Sequence, residues 1–358
     1  MEDILLAGLI AFSLCSLLLK GLIRFAPDLK LMDTPGGRKQ HLESTPLVGG
    51  LAISLSLTTV LLWPEFRNSQ LVWLAPPLLI LILIGLHDDR NDSSPRFRFF
   101  AQILAAVFTI LGTGTAITHL GDLFGQGLVS LGLLSIPVTV FAILSAINAF
   151  NMSDGLDGLA GGLTLIPLII LTSLAAKHGL FAEATLGCTL SSATVAFLLV
   201  NYRFPWTNRA QTFLGDTGSM VLGFCVAWLL ISLSESGAIS PVTALYLIAF
   251  PLIDTAAVLV RRKLADRPLT SPGRDHFHHI LRNADFSVRQ TVAIIHTAAL
   301  LMAGVGLSLS KLGVNELSAF LIFICVLGFF VWLNLPKSRS VPTPRIELVI
   351  AKVKSRAQ

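Results

Sequence analysis

Uninterrupted apolar stretches of roughly 17 to 21 residues recur along this 358-residue chain, each long enough to cross about 30 Å of hydrocarbon as a helix. No soluble core absorbs so many of them. The chain is 53% hydrophobic and only 13% charged, with a mean hydropathy of +0.75, which belongs to polytopic membrane proteins. The hydropathy rule places spans near 4–24, 47–64, 71–87, 99–116, 131–148, 156–176, 184–200, 219–234, 239–260, 292–310 and 316–335. The expected fold is therefore an all-α polytopic membrane helical bundle of about eleven transmembrane helices.

Charge orients the bundle. Glu2 and Asp3 precede the first apolar run while Lys20 and Arg24 follow it, the reverse of a cleavable signal peptide, so the first run stays as a span. Lys30, Arg38 and Lys39, then Arg90, Arg96 and Arg98, then Arg203 and Arg209, then the run from Arg261 to Arg289 fall on one side; Arg67, Lys177 and Lys311 fall on the other. By the positive-inside rule the N-terminus lies outside, which in a bacterial inner membrane would be the periplasm, and the C-terminus lies in the cytoplasm. The longest polar interval, 261–289, is too short to bury its own core, so residues 1–336 form one integral membrane domain with cytoplasmic loops, punctuated by Thr34-Pro-Gly-Gly37 and Ser271-Pro-Gly273. Residues 337–358 form a basic tail carrying Lys337, Arg339, Arg345, Lys352, Lys354 and Arg356; with the formal charge of +5 concentrated on this side, it suits anionic headgroups. Cys15, Cys188, Cys225 and Cys325 each lie in an apolar run without metal-type spacing and read as buried free thiols.

Against that background the acids stand out, because a carboxylate in hydrocarbon costs about 2.5 to 3.5 kcal/mol on insertion scales. Asp88 and Asp89 end the third run. A polar helix end paired with Arg90 would explain them, but acids at a helix C-terminus oppose the macrodipole, and two adjacent carboxylates suit a cation or a proton. In Asn148-Ala-Phe-Asn151-Met-Ser-Asp154-Gly-Leu-Asp157-Gly, the i, i+3 spacing of Asp154 and Asp157 places both on one face at the mouth of a helix beginning there. Capping by Ser153 or Asp154 accounts for one acid; it leaves the asparagines, the Asp-Gly steps and Gly161-Gly162 unexplained. Amide and carboxylate oxygens are the hard donors that Mg²⁺ prefers. Phe213-Leu-Gly-Asp216-Thr-Gly opens the eighth run, where Asp216 is either an ordinary N-cap or a metal ligand bridging phosphates.

Arg274-Asp-His276-Phe-His278-His279 lies beyond the ninth run. Lacking a nearby Cys or a His-Glu-x-x-His helix, these histidines fit donors to a diphosphate better than zinc ligands. Asp254, seven residues before Arg261 in the ninth run, reads as a structural ion partner or a support for the site. Even numbers of spans separate all four clusters, so they face the same side however the chain inserts.

Pro46-Leu-Val-Gly-Gly50, Asp88-Asp-Arg90, Ala146-Ile-Asn-Ala-Phe-Asn-Met152, Asp154-Gly-Leu-Asp-Gly158, Phe213-Leu-Gly-Asp216, Ile239-Ser-Pro-Val-Thr-Ala-Leu245 and the histidine loop together resemble the polyprenyl-phosphate N-acetylhexosamine-1-phosphate transferases, most closely their bacterial undecaprenyl-phosphate GlcNAc branch. The likeness covers nearly all the spans. Leu214 stands where Met is usual and Phe277 replaces the Ile of a His-Ile-His-His pattern; neither change removes a ligand. The resemblance implies transfer of GlcNAc-1-phosphate from UDP-GlcNAc to undecaprenyl phosphate, releasing UMP, with Mg²⁺ or Mn²⁺ required, as the first membrane step of an O-antigen or enterobacterial common antigen type of polysaccharide. It further implies Asp216 and Asn151 as metal ligands, Asp88 as base or lipid-phosphate partner with Asp89 beside it, and Asp154 and Asp157 around the nucleotide and metal. Asn148, Arg262 and Arg274 become substrate-binding, and His276, His278 and His279 part of the catalytic phosphate-binding loop.

Membrane lipids are further partners, no nucleic acid is expected, and a homodimer is left open. Alternatives remain at this point: another UDP-HexNAc or UDP-MurNAc-pentapeptide as donor, although the rival histidine loop reads His-His-His with a following Glu; a CDP-alcohol phosphotransferase, which expects Arg where Gly161 stands; and a proton-coupled transporter, whose acids would lie near the midplane and whose inverted repeat is not visible.

Overall fold

The computed structural model describes residues 2–34, 44–61, 70–91, 93–207, 209–270, 273–338 and 341–350. Arg38, Lys39, Arg67, Pro35 to Gly37, Ser271, Pro272, Arg339, Lys352, Lys354 and Arg356, together with the side chain of Lys337, lie outside the described residues. Two compact units emerge, Met1–His119 with Ser130–Pro241, and Leu120–Val129 with Val242–Gln358.

The first unit contains α1 (Glu2–Phe25), a two-residue hairpin of β1 (Met32–Asp33) and β2 (Thr45–Pro46), α2 (Gly49–Leu61), α3 (Ala75–Asn91), α4 (Pro95–Thr113), α5 (Ser135–Met152), α6 (Leu159–Lys177), α7 (Phe181–Asn201) and α8 (Gly215–Glu235). Its ends obey local rules. Glu2 and Asp3 open α1 and Arg24 closes it, as the macrodipole favours. Ser94 accepts from Phe97 N ahead of Pro95 to start α4, and Gly114 at φ 68° ends it. The second unit contains α9 (Pro241–Leu247, from Val242 onward), α10 (Ala249–Leu264), α11 (Phe277–Asn283), α12 (Val288–Lys311), α13 (Glu316–Asn334) and a hairpin of β3 (Pro336–Ser338) and β4 (Val341–Pro344). A Ser287 and Gln290 capping box starts α12, and Tyr246 Oη donates to Ala319 O at 2.8 Å inside the α9–α13 core.

Among the described residues nine helices are long and apolar enough to cross a membrane, and the bent pair α9–α10 raises this to ten. The other two of the expected eleven are the one over 47–64, of which 62–64 lie outside the described residues, and the one over 239–260. The span expected over 47–64 is described as the 13-residue α2, and the one expected over 239–260 breaks by 79° between α9 and α10. Pro251 explains the break: it has no N–H for the Leu247 carbonyl four residues back, and its ring crowds that carbonyl. The thiol reading fails at one position: Cys15 and Cys225 are buried and Cys188 half-buried, but Cys325 is exposed on α13.

In the first unit α8 is the central helix, with 94% of its apolar window buried. Close approach to it requires glycine. A Cβ at Gly50 would collide with the Gly218 backbone, and one at Gly85 with the Thr217 backbone. The N–H groups of Gly49 and Gly50 donate to Phe213 O and Leu214 O at 3.0 and 2.8 Å, so α2 fastens the lead into α8. Buried hydroxyls such as Thr109, Thr139 and Thr189 donate to their own i−4 carbonyls, which satisfies them without water.

Candidate active site

The C-terminal ends of α3 and α5 meet the N-terminal end of α8 in the first unit. Acids at the end of α3 would be unfavourable alone, yet each has a donor. Asp88 accepts from Ser93 N at 2.6 Å and from Arg98 Nη1 at 2.7 Å. Asp89 accepts from Asp216 N at 2.7 Å, Thr217 N at 3.2 Å and Thr217 Oγ1 at 2.7 Å, which sets its charge at the positive end of the α8 dipole. Asp216 is consequently not the N-cap of α8. It lies in the first turn, behind Gly215 at φ 74°, and the capping acceptor comes from α3.

The Asp216 carboxylate is held from two directions. Asn151 Nδ2 donates to its Oδ1 and also to Ser219 Oγ at 2.8 Å, while Arg98 Nη1 lies 3.6 Å from its Oδ2. One guanidinium thus spans Asp88 and Asp216. Sequence reasoning treated Arg98 as a topological anchor; the overlooked signal was its i, i+4 spacing with Gln102 on an otherwise apolar helix. Gln102 accepts from Asn148 Nδ2 at 2.7 Å, and Leu144 O accepts from the same amide at 2.8 Å, so the Asn148 amide is committed to helix packing one turn behind Asn151.

Asp154 and Asp157 do not sit on a helix. The chain from Ser153 to Gly158 is a turn, Gly158 takes φ 82°, and α6 begins only at Leu159. Asp157 accepts from Arg203 Nε at 2.6 Å and from Ala210 N at 3.3 Å, tying this turn to the segment that leads into α8. Buried Asn201 supplies a second tie that the sequence did not reveal: its Oδ1 accepts from Gly158 N at 2.7 Å and its Nδ2 donates to Thr212 O at 2.8 Å. Asp154 retains some surface exposure. Dense enclosure is nonetheless the main reason its carboxyl is pushed up to about 7, with the Asp89 and Asp157 charges adding to it.

The second unit holds the histidine segment. Asp254 on α10 accepts from His276 Nδ1 at 2.9 Å and Phe277 N at 3.0 Å, which fixes the ring and the start of α11. Asp275 collects Arg261 Nη2 at 2.8 Å, Arg262 Nε at 3.4 Å and Arg267 Nη1 at 3.3 Å. Burial alone would raise the Asp275 carboxyl; the Arg261 bond and charge, then Arg267 and Arg262, hold it below the usual range. Arg262 is buried and also donates to Leu269 O at 2.7 Å, whereas Arg274 is exposed. The His276 and His278 rings stack with centroids 5.7 Å apart, and those of His278 and His279 are 4.2 Å apart. Burial and the neighbouring histidines hold His278 well below the ordinary imidazole range; burial, then His276 and Arg274, lower His279 to about 4. At neutral pH these two are neutral N–H donors, with the charge of Arg274 beside His279.

Among the described residues no three His, Cys, Asp or Glu side chains converge as a ready metal cage. The oxygens of Asp216, Asp88 and Asn151 are hard donors with surplus negative charge, and such a partial set suits Mg²⁺, which keeps waters and shares its sphere with substrate phosphates.

The family model described as glycosyl transferase family 4 matches residues 71–234. Relatives align over most of the chain. The undecaprenyl-phosphate alpha-N-acetylglucosaminyl 1-phosphate transferase of Yersinia pestis is 35% identical over 79% of this chain and 78% of its own length, and that of Escherichia coli (strain K12) is 32% identical over 79% and 77%. A probable undecaprenyl-phosphate N-acetylglucosaminyl 1-phosphate transferase of Bacillus subtilis (strain 168) is 30% identical over 85% and 84%.

Proposed function

We propose, for a chain that belongs to the glycosyl transferase family 4 of membrane sugar-1-phosphate transferases, that it moves GlcNAc-1-phosphate from UDP-GlcNAc to undecaprenyl phosphate and releases UMP. Membership makes the chain a multi-pass membrane phosphotransferase; the donor sugar, the acceptor and the pathway are the proposal. The observation that carries it is the meeting of Asp88, Asp216, Asn151 and Arg98 at the shared end of α3, α4, α5 and α8. These groups stand at helix ends, where a lipid headgroup and a soluble nucleotide can both arrive, and this favours transfer over proton-coupled transport.

A phosphate monoester has a second pKa near 6, so the acceptor is mostly dianionic at neutral pH and needs little deprotonation. Asp88 then positions more than it abstracts. Its partner Arg98 offers a planar fork that can leave the carboxylates for phosphate oxygens. Asp216 and Asn151 would hold Mg²⁺ or Mn²⁺, which when bound neutralises charge on the diphosphate. Asp154 and Asp157 shape the nucleotide side of the turn, and His276, His278, His279 and Arg274 are proposed to donate hydrogen bonds to substrate phosphate oxygens. The basic loops support a site facing the cytoplasm of a bacterial inner membrane, at the opening step of a surface polysaccharide.

Purified protein in nanodiscs with undecaprenyl phosphate, Mg²⁺ and UDP-GlcNAc is expected to release UMP. Asp216→Ala abolishes release while insertion and melting stay intact. Parallel reactions with UDP-GalNAc and UDP-MurNAc-pentapeptide identify the donor, and silence with every UDP-sugar would reject the transfer reading.

A further inference from the structure

Of the adjacent acids that end α3, only Asp88 faces the guanidinium shared with Asp216. Asp89 is turned into the backbone of α8. An ionised carboxylate offers about four lone-pair positions, and the Asp216 N–H, the Thr217 N–H and the Thr217 hydroxyl take three of those of Asp89, at 2.7, 3.2 and 2.7 Å. On the side of α8 the approach is tight as well. A Cβ at Gly215 would lie 2.8 and 2.9 Å from the two Asp89 oxygens, so no heavier group fits between this carboxylate and the helix start.

The first N–H groups of a helix have no partner within it. The residue at the N-cap position of α8, Leu214, offers no side-chain acceptor, so the helix start depends on an acceptor from elsewhere. Because Asp216 belongs to the same turn, the bond from its own N–H to Asp89 fixes where its carboxylate points. We infer that Asp89 is a positioning residue: it fastens the N-terminus of α8 to the C-terminus of α3 and thereby aims Asp216, without touching substrate or metal. Gly85, one turn earlier on α3, lets the two backbones approach closely enough for this bond, since any side chain there would strike Thr217.

The activity arm of the test rests on the transfer reading; the exchange arm does not. The 358-residue protein in nanodiscs is compared as wild type, Asp89→Asn, Asp89→Ala, Thr217→Val and Thr217→Ser. Amide hydrogen exchange is followed over 215–219, Mn²⁺ binding by its electron paramagnetic resonance signal, and UMP release by turnover. Asparagine caps helices about as well as aspartate, so Asp89→Asn is expected to keep exchange within about threefold of wild type, with turnover and Mn²⁺ affinity within about tenfold. Asp89→Ala is expected to exchange about tenfold faster at Asp216 and Thr217 and to lose Mn²⁺ affinity in step. Thr217→Val falls between them and Thr217→Ser matches wild type, which decides the matter even if Asp89→Ala does not fold. The inference is overturned if Asp89→Asn is as inactive as Asp89→Ala while exchange over 215–219 is unchanged, for then the Asp89 charge takes part in the chemistry itself. A wild type without turnover that still shows this exchange pattern removes the transfer reading and leaves the positioning role standing.

Discussion

Arg98 is the side chain through which two carboxylates are kept in one place, at 2.7 Å from Asp88 and 3.6 Å from Asp216. One nitrogen, Nη1, faces both acids, so a lysine ammonium could take over that contact but not the further planar donors that a guanidinium offers to phosphate oxygens. Arg98→Gln is therefore expected to lower turnover about 100-fold, the usual loss for one donor to a transition-state oxyanion. Arg98→Lys recovers to within about tenfold, with the deficit in KM for the lipid phosphate larger than that for the nucleotide sugar. Unchanged kinetics in Arg98→Gln would return this residue to the role of a topological anchor. The acids themselves were legible in the sequence because charge beside an apolar run is costly. Arg98, Gln102 and Asn201 were not, since an arginine beyond a span usually sets topology and a lone amide has many packing uses. Even among the acids, the sequence left Asp216 open between the N-cap of α8 and a metal ligand, whereas Asp89 supplies the capping acceptor there.

At the level of elements, the turn between α5 and α6 and the connector from α7 to α8 are held together by polar bonds rather than by apolar packing. The Asp157–Arg203 pair is one tie, with Arg203 about one-third exposed and the pair correspondingly screened. Asn201 is the stronger tie because it is buried and satisfies two backbone groups, Gly158 N–H and Thr212 C=O. Asn201→Ala would leave both unpaired at about 1 to 3 kcal/mol each. Melting should fall by several degrees and UMP release should fall with it, while Asp157→Asn costs less in both. Equal losses from the two would mean that the buried amide has no special share. The sequence placed the start of α6 at Asp154 because i, i+3 acids imitate a helix face; Gly158 at φ 82° moves it to Leu159. Likewise hydropathy reads 239–260 as one span, because it measures transfer to hydrocarbon and is blind to the missing Pro251 N–H that bends the chain by 79°.

For the molecule as a whole, hydropathy gave the class of fold but not which helix faces are inside the protein: α13 is more apolar than α8, yet 94% of the α8 window is buried and only 11% of the α13 window. What does distinguish inside from outside is the response of buried ionisable groups to acid, and the second unit carries the clearest set. His278 is held well below, and His279 at about 4 against, an unfolded value near 6.5. The unfolded chain therefore binds more protons between pH about 6.5 and 4, and stability present above that range is lost as pH falls through it. Asp275, lowered by its arginines, acts in the same direction at still lower pH, since its stabilisation persists above the unfolded carboxyl value and disappears once it is protonated in the fold. Asp154, raised to about 7, works in the opposite sense, since over the same range the folded protein takes up a proton there that the unfolded chain does not. The histidine share is therefore read in detergent as the melting temperature of wild type relative to His279→Asn, which should be level above pH about 7 and fall by several degrees toward pH 4. The loss at still lower pH that Asp275 contributes should be common to both proteins. A difference that instead grows in favour of wild type in acid would show that the His279 imidazole is charged in the folded protein, and its neutral-donor role would have to be replaced by a cationic one.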